Sequence, residues 1–327
     1  MRILVMGAGA IGSAVGGFMA RAGHDVTLVG RSAHMNAVAT SGLRITGIWG
    51  DHHVTRLDAR TSVAGLARGE FEWIFLTVKS YDTRQAAASI RPLAADDTLV
   101  CSYQNGLGNA ETIAELLGWN RTVGARAIYG VRISEPGCIE VTVIAQPTAL
   151  GVYSPETSEA RVRAMADLMN AAGIPTVYTD EIATVLWSKV AYNCALNPLS
   201  ALLDVPYGRL LETEATRSVM RDIISELYAT ANALNIQLKP ATPEEYSRLL
   251  FEELIPPTAA HYASMPTNGD RRAQRSGLAY GHRERRAVPR QRAPVPPRPC
   301  PRDSPACLTV ALHRRMPGAW AERVVVQ

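Results

Sequence analysis

Cysteine is scarce and poorly arranged for its structural uses. The 327 residues carry five, Cys101, Cys138, Cys194, Cys300 and Cys307. This odd set has no CxxC pair and no histidine at ligand spacing, which argues against both a disulfide framework and a zinc site. Long hydrophobic runs are missing as well, the longest falling far short of the ~20 residues that cross a bilayer. The N-terminal "MRILVMGAGAIG" has no basic segment ahead of its apolar run and no cleavage-site pattern. These features predict a cytoplasmic chain with reduced thiols, no metal and no membrane partner.

Lysine is absent from residues 266–327, which hold 13 arginines and 4 acidic residues, a balance of +9. The preceding residues carry 21 basic and 26 acidic side chains, a balance of −5. The net charge of +4 therefore belongs to the tail, and it does not make the body of the chain a nucleic-acid binder.

With 47% hydrophobic residues, a chain of this length can bury one or two substantial cores. "RILVM" reads as a strand, "GAGAIG" follows at once, and Ile11, Val15, Phe18, Met19 and Ala22 then recur at helical spacing. "DVTLVGR" gives a second strand, and "WIFLTVK" and "TLVCSYQ" give two more, with helical patterns between. "VGARAIYG" and "IEVTVIAQPTALGVY" close the series, with Gly130 and "EPG" read as turns. Short apolar strands alternating with helices predict an α/β fold, a Rossmann-type doubly wound parallel sheet over residues 1–180.

Beyond Tyr178 the period becomes helical. Asp180 is positioned to cap a helix starting near Glu181, and Val219, Ile223, Leu227, Ala231 and Leu234 trace one apolar face. "TPEE" at 242–245 combines a capping threonine, a proline at the first helical position and two acids. An all-helical domain over 181–265 follows, and then the tail 266–327.

Gly7, Gly9 and Gly12 form G-x-G-x-x-G between a strand and a helix. The first glycine permits the tight turn, the second lets a pyrophosphate approach the backbone, and the third lets helix and strand pack closely. The loop Gly7, Ala8, Gly9, Ala10, Ile11 and Gly12 is thus a candidate dinucleotide site. At the end of the second strand, Gly30 and Arg31 stand where an acid would grip the ribose hydroxyl of NAD. Arginine suits a 2′-phosphate, so NADP (as NADPH) is the expected cofactor. Lys79 and Asn105 fall at the carboxyl ends of later strands, where open α/β sheets bind ligands, although Asn105-Gly106 is also a common turn dipeptide.

In "WSKVAYNCALNPL" (187–199), Lys189, Asn193 and Asn197 recur every four residues among apolar neighbours. That spacing stacks them on one helical face, and Pro198 is expected to bend or end the helix just after Asn197. A lysine there needs partners or loses its charge, so a pocket accounts for the stripe better than a solvated face. Beside a nicotinamide, an ammonium can protonate and stabilise the alkoxide formed when a ketone is reduced.

The motifs "GAGAIG", "LVGR", "TVKS", "QNGLGN" and above all "LWSKVAYNCALNPLSAL" resemble, in order from Met1 to about Met265, the ketopantoate reductase (2-dehydropantoate 2-reductase) family. The resemblance implies NADPH-dependent reduction of ketopantoate to pantoate on the route to pantothenate and coenzyme A, by a monomer or homodimer. Lys189 would be the general acid, with Asn105, Asn193, Asn197 and Ser264 at the substrate. Lys79, Asn105 and Gly130 would contact the cofactor.

Two departures stand out. Tyr207 precedes Gly208 where the family commonly has asparagine, which leaves a different 2-oxo acid open as substrate. No glutamate matches the family's T-E-I-D-like helix, and Ser276 lies near its place. The Arg/Pro-rich tail reads as a reading-frame change after Met265 or as a basic disordered extension. If the tail is genuine, cofactor binding should survive with turnover weak or lost. The competing functional reading is a non-catalytic NADP-binding sensor.

Overall fold

The computed structural model describes residues 1–261; Ser264, Ser276 and the tail readings lie outside the described residues. The strands are β1 (Arg2–Met6), β2 (Asp25–Val29), β3 (Leu43–Gly47), β4 (His52–Val54), β5 (Asp58–Arg60), β6 (Trp73–Leu76), β7 (Leu99–Ser102), β8 (Thr122–Glu135), β9 (Cys138–Val152) and β10 (Thr176–Tyr178). They make one sheet in the order β4-β3-β9-β8-β7-β6-β1-β2-β5, with β10 paired to β9. All pairs from β5 to β8 along that order are parallel, whereas β8 and β9 form a long antiparallel hairpin.

Alternation along the strands explains the layering. Ile3 and Val5 enter one core with Val15, Phe18 and Met19, while Leu4 enters a second with Ile74, Leu76 and Ile90. Both faces are apolar, so both are covered by helices, the arrangement a parallel sheet requires. On these faces lie α1 (Ala10–Arg21), α2 (Ser32–Ser41), α3 (Thr83–Ile90), α4 (Asn109–Leu117) and α5 (Glu159–Ala172). Chain order reverses at β1, whose neighbours are β2 and β6, and ligand crevices form at such a switch point.

The rest of the described chain is helical: α6 (Ile182–Leu203), α7 (Glu214–Ala233) and α8 (Pro243–Leu249), which runs on into a π-helical turn, Leu250–Leu254. Ala191, Ala195, Leu196, Tyr207, Leu210, Met220, Ile224 and Tyr246 share its core. Thr242 caps α8 as expected, its hydroxyl accepting from Glu245 N at 3.2 Å.

Asp180 does not cap α6; the helix begins one residue later, Thr179 Oγ1 accepts from Glu181 N at 3.1 Å, and the Glu181 side chain pairs with Lys239. Pro198 does not end α6, which continues to Leu203. The proline removes one bond, to the Cys194 carbonyl, a cost of about 3 kcal/mol that tertiary packing offsets. The apolar face of α7 is displaced by one residue, to Met220, Ile224, Tyr228 and Ala231, leaving Val219 and Leu234 exposed. Tyr228 directs this choice, burying its ring beside Tyr246 and donating its hydroxyl to Pro240 O at 2.8 Å. Gly130 is not a turn but lies within β8 at a register shift, and the hairpin closes between Glu135 and Cys138. A Cβ on Gly130 would come 2.8 Å from Thr142 Oγ1.

Candidate active site

The glycine loop is held from below. Gly7 N and Ala8 N both donate to Val29 O, at 2.9 and 2.8 Å, and Thr77 Oγ1 donates to Gly7 O at 2.8 Å. Gly7 sits at φ +103°, and a Cβ there would lie 2.5 Å from Val78 N; only glycine fits. At Gly12 a Cβ would come 2.5 Å from Thr77 Oγ1, so that glycine serves the packing of α1 against the sheet. Gly9 is different. It is exposed, and a Cβ there would meet nothing nearer than Gly7 O at 3.8 Å. Internal packing does not require a glycine at this position, whereas a ligand lying against the backbone would.

Gly9 caps α1 without a side-chain bond, so the first-turn N–H groups of Ala10, Ile11 and Gly12 have no intrahelical acceptors. With the helix dipole they form a site for an anion. Gly30 abuts this loop, where a Cβ would be 2.9 Å from Ala8 O. The next residue, exposed Arg31, stands at the N-cap of α2. The residues present thus fit a dinucleotide. Lys79, also exposed, follows β6 on the same edge of the sheet.

Two facing glycines fix the approach of α6. Gly124 and Gly151 are register partners on β8 and β9, and a Cβ on either would come within 2.8 Å of Ile182. Their bareness lets the fully buried Ile182 seat directly on the sheet. Burial of such a side chain stabilises by about 2 kcal/mol. Lys189 lies seven residues on, two turns along the same face, and therefore arrives over β8.

There Lys189 Nζ donates to Asn105 Oδ1 at 2.6 Å and to Ala127 O at 2.5 Å. Ala127 can accept because β8 changes register between Arg126 and Ile128, and such an irregularity disrupts the ladder locally. Asn105 is fixed in turn, its own carbonyl accepting from Ser80 Oγ and Asn109 Nδ2, both at 3.0 Å. Tyr103 Oη, just past β7, meets Tyr129 Oη of β8 and Thr148 Oγ1 of β9, each at 3.0 Å. The Lys189 residue is half-buried overall, but its ammonium end is withdrawn from water. That desolvation, with the positive charge of Arg126 as a lesser cause, lowers its pKa to about 7.

The unbroken α6 places Lys189, Asn193 and Asn197 on one face. Asn193 is half-buried. Asn197 Oδ1 accepts from Tyr207 Oη at 2.7 Å, so Tyr207 is joined to the stripe itself. The structure therefore brings Asn105 and Lys189 into contact and aligns the two asparagines behind them, while Gly130 lies further along β8. Sequence reasoning missed the Ala127 carbonyl, which has no residue-type signature. It also missed Arg126, although a lone charge within the strand "VGARAIYG" was a visible signal.

A separate cavity of about 100 Å³ lies behind the Asn105 loop, lined by Gln104, Asn109, Tyr153 and Trp187 among others. It includes neither Lys189 nor the glycine loop, so the crevice above is the site of interest. Among the described residues no cluster could hold a metal ion, and no helix is long and apolar enough to cross a membrane.

Two family models match the chain, "Ketopantoate reductase PanE/ApbA" over residues 3–155 and its C-terminal counterpart over residues 181–275. The 2-dehydropantoate 2-reductase of Aquifex aeolicus is 33% identical over 270 residues, covering 81% of this chain and 83% of that protein. The enzyme of the same name from Pyrococcus horikoshii is 36% identical over 247 residues, 73% of this chain and 77% of the relative. Among solved structures, a PanE/ApbA family ketopantoate reductase from Ralstonia eutropha JMP134 superposes with a TM-score of 0.70 at 32% identity. The match covers 81% of this chain and 83% of that one.

Proposed function

This chain belongs to the ketopantoate reductase family, and from that premise we propose that it reduces 2-dehydropantoate to pantoate with NADPH, Lys189 acting as the general acid. Residues 1–180 would hold the cofactor and residues 181–265 would cover the substrate, in a cytoplasmic biosynthetic reaction. The observation that carries the reading is the Lys189 ammonium, bonded to Asn105 Oδ1 and Ala127 O.

An ammonium has three protons. Two are directed by Asn105 and Ala127, which aims the third at whatever occupies the crevice. A pKa of about 7 keeps a substantial fraction charged at neutral pH while making the proton easy to give up, as efficient general acid catalysis requires. The loop from Gly7 through Ala8, Gly9, Ala10, Ile11 and Gly12 would hold the pyrophosphate, Arg31 the 2′-phosphate, and Lys79, Asn105 and Gly130 further parts of the dinucleotide. When bound, the nicotinamide supplies the hydride. Lys189 then passes its proton to the ketone oxygen, and Asn193, Asn197 and Ser264 orient the substrate.

Tyr207 supports a second reading. Its hydroxyl donates to Asn197 Oδ1, placing a tyrosine on the stripe where the family commonly has asparagine, which favours a 2-oxo acid other than 2-dehydropantoate. A panel of 2-oxo acids under identical conditions, with NADPH and NADH oxidation followed for this chain and for one with the frame restored after Met265, tests both. The highest kcat/KM with 2-dehydropantoate and NADPH is expected. No oxidation with any 2-oxo acid in either version would refute the reductase reading.

A further inference from the structure

Asn105 stands on a loop whose own backbone does little to fix it. Gly106 and Gly108 take positive φ, +92° and +85°, in a stretch where glycine leaves the chain permissive. Among the described residues, no backbone–backbone hydrogen bond reaches residues 104–107. Yet Oδ1 of the exposed Asn105 meets the Lys189 ammonium at 2.6 Å, an alignment that has to be imposed by side chains.

A buried polar chain imposes it. Gln104, Thr83 and Asn109 are all buried. Gln104 Nε2 donates to Val78 O at 2.9 Å and to Thr83 Oγ1 at 2.7 Å. Thr83 Oγ1 donates to Asn109 Oδ1 at 2.8 Å, and Asn109 Nδ2 donates to Asn105 O at 3.0 Å. Both ends of the chain are backbone carbonyls, which only accept, so neither amide can be turned over and the hydroxyl between them has one direction. Buried bonds that run one way polarise and strengthen one another. Ser80 Oγ fills the second lone pair of the Asn105 carbonyl at 3.0 Å. Val78 and Ser80 flank Lys79, so the chain ties the loop after β6 to the loop after β7.

We propose that Asn109 is a positioning residue for proton transfer: its amide, oriented by Thr83 and Gln104, holds the Asn105 carbonyl so that Asn105 Oδ1 aims the Lys189 ammonium. This rests on the reductase reading above, but one of its readouts needs no turnover. The chain has three lysines, Lys79, Lys189 and Lys239, so lysine isotope-labelled at Cε gives three NMR resonances, and Lys189→Met identifies the one at issue. Spectra are recorded at about pH 6, where the ammonium is charged. These, with kcat and KM for 2-dehydropantoate and NADPH, are compared in wild type, Asn109→Ala, Asn105→Ala and the double variant.

Asn109→Ala should lower kcat about tenfold with KM within about twofold, and should move the Lys189 resonance toward its position in Asn105→Ala. With Asn105→Ala already present there is no Oδ1 left to aim. The same substitution should then cost less than about twofold in kcat and leave the resonance in place. A purely structural role would cost the same in both backgrounds.

Equal kcat losses in the two backgrounds, or a Lys189 resonance unmoved by Asn109→Ala, overturn the proposal. If Asn109→Ala fails to fold, Thr83→Val and Thr83→Ser decide. The valine breaks the chain and should reproduce both effects, the serine keeps the hydroxyl and should restore them, and indistinguishable variants overturn the proposal. A resonance that follows Asn109 in a protein that reduces no 2-oxo acid would sink the reductase reading and leave the positioning of Lys189 standing.

Discussion

The Nζ of Lys189 donates to Oδ1 of Asn105 at 2.6 Å across 84 positions of sequence, joining the first helix of the helical region to the loop after β7. Replacing Asn105 by alanine removes one of the two acceptors that aim the ammonium, and kcat should fall by roughly 10- to 100-fold. Asn105→Asp instead places a carboxylate against the lysine and should raise its pKa. The basic limb of kcat/KM would then move to higher pH, a shift that Asn105→Ala should not produce.

Wild type should show that limb near neutrality. With a pKa of about 7, Lys189 loses its proton as pH rises, so reduction slows above about 7 while the reverse oxidation, which needs the free amine, accelerates. Stability follows a related sign. The folded pKa lies below the ordinary 10.5, so between about 7 and 10.5 the unfolded chain binds more protons. The penalty for burying the ammonium is complete below about 7 and fades as pH rises. Chemical denaturation of Lys189→Met should therefore show a gain over wild type at pH 6 that shrinks by pH 10.

Arg31 is exposed at the start of α2, so its replacement should leave folding intact and change the choice of cofactor. Arg31→Asp is expected to weaken NADPH binding about tenfold or more with little loss for NADH. Fluorescence titration of both reduced cofactors measures the ratio, and an unaltered ratio would remove Arg31 from the cofactor site.

Gly7 and Gly9 should separate structure from binding. Gly7→Ala combines positive φ with a clash against the Val78 backbone and should destabilise by several kcal/mol, visible as a lowered Tm. Gly9→Val has room in the protein and should leave Tm nearly unchanged while abolishing dinucleotide binding.

How far these features can be read in sequence depends on whether they are local. The β1–α1 unit and its glycines are legible because strand period, turn chemistry and helix period change within a few residues. The stripe of α6 is legible because four-residue spacing survives among apolar neighbours. Pro198 misleads, since local propensity predicts a break that packing overrides. The face of α7 is misread by one residue because Tyr228, which a simple apolar count omits, is the side chain that goes inside. The Ala127 carbonyl is invisible, being backbone exposed by a register shift between two strands. The edge strands β4 and β5, three residues each, are too short and polar to announce themselves, and pairing with neighbours defines them.

The central claim is that the Lys189 ammonium protonates the reduced ketone, and single-turnover oxidation of bound NADPH by 2-dehydropantoate in wild type and Lys189→Ala tests it most directly. The account predicts a rate about 100-fold or more lower in the variant, with NADPH affinity preserved and the loss greatest where the wild-type lysine is charged. Equal rates in the two proteins at pH 6.5 would contradict it.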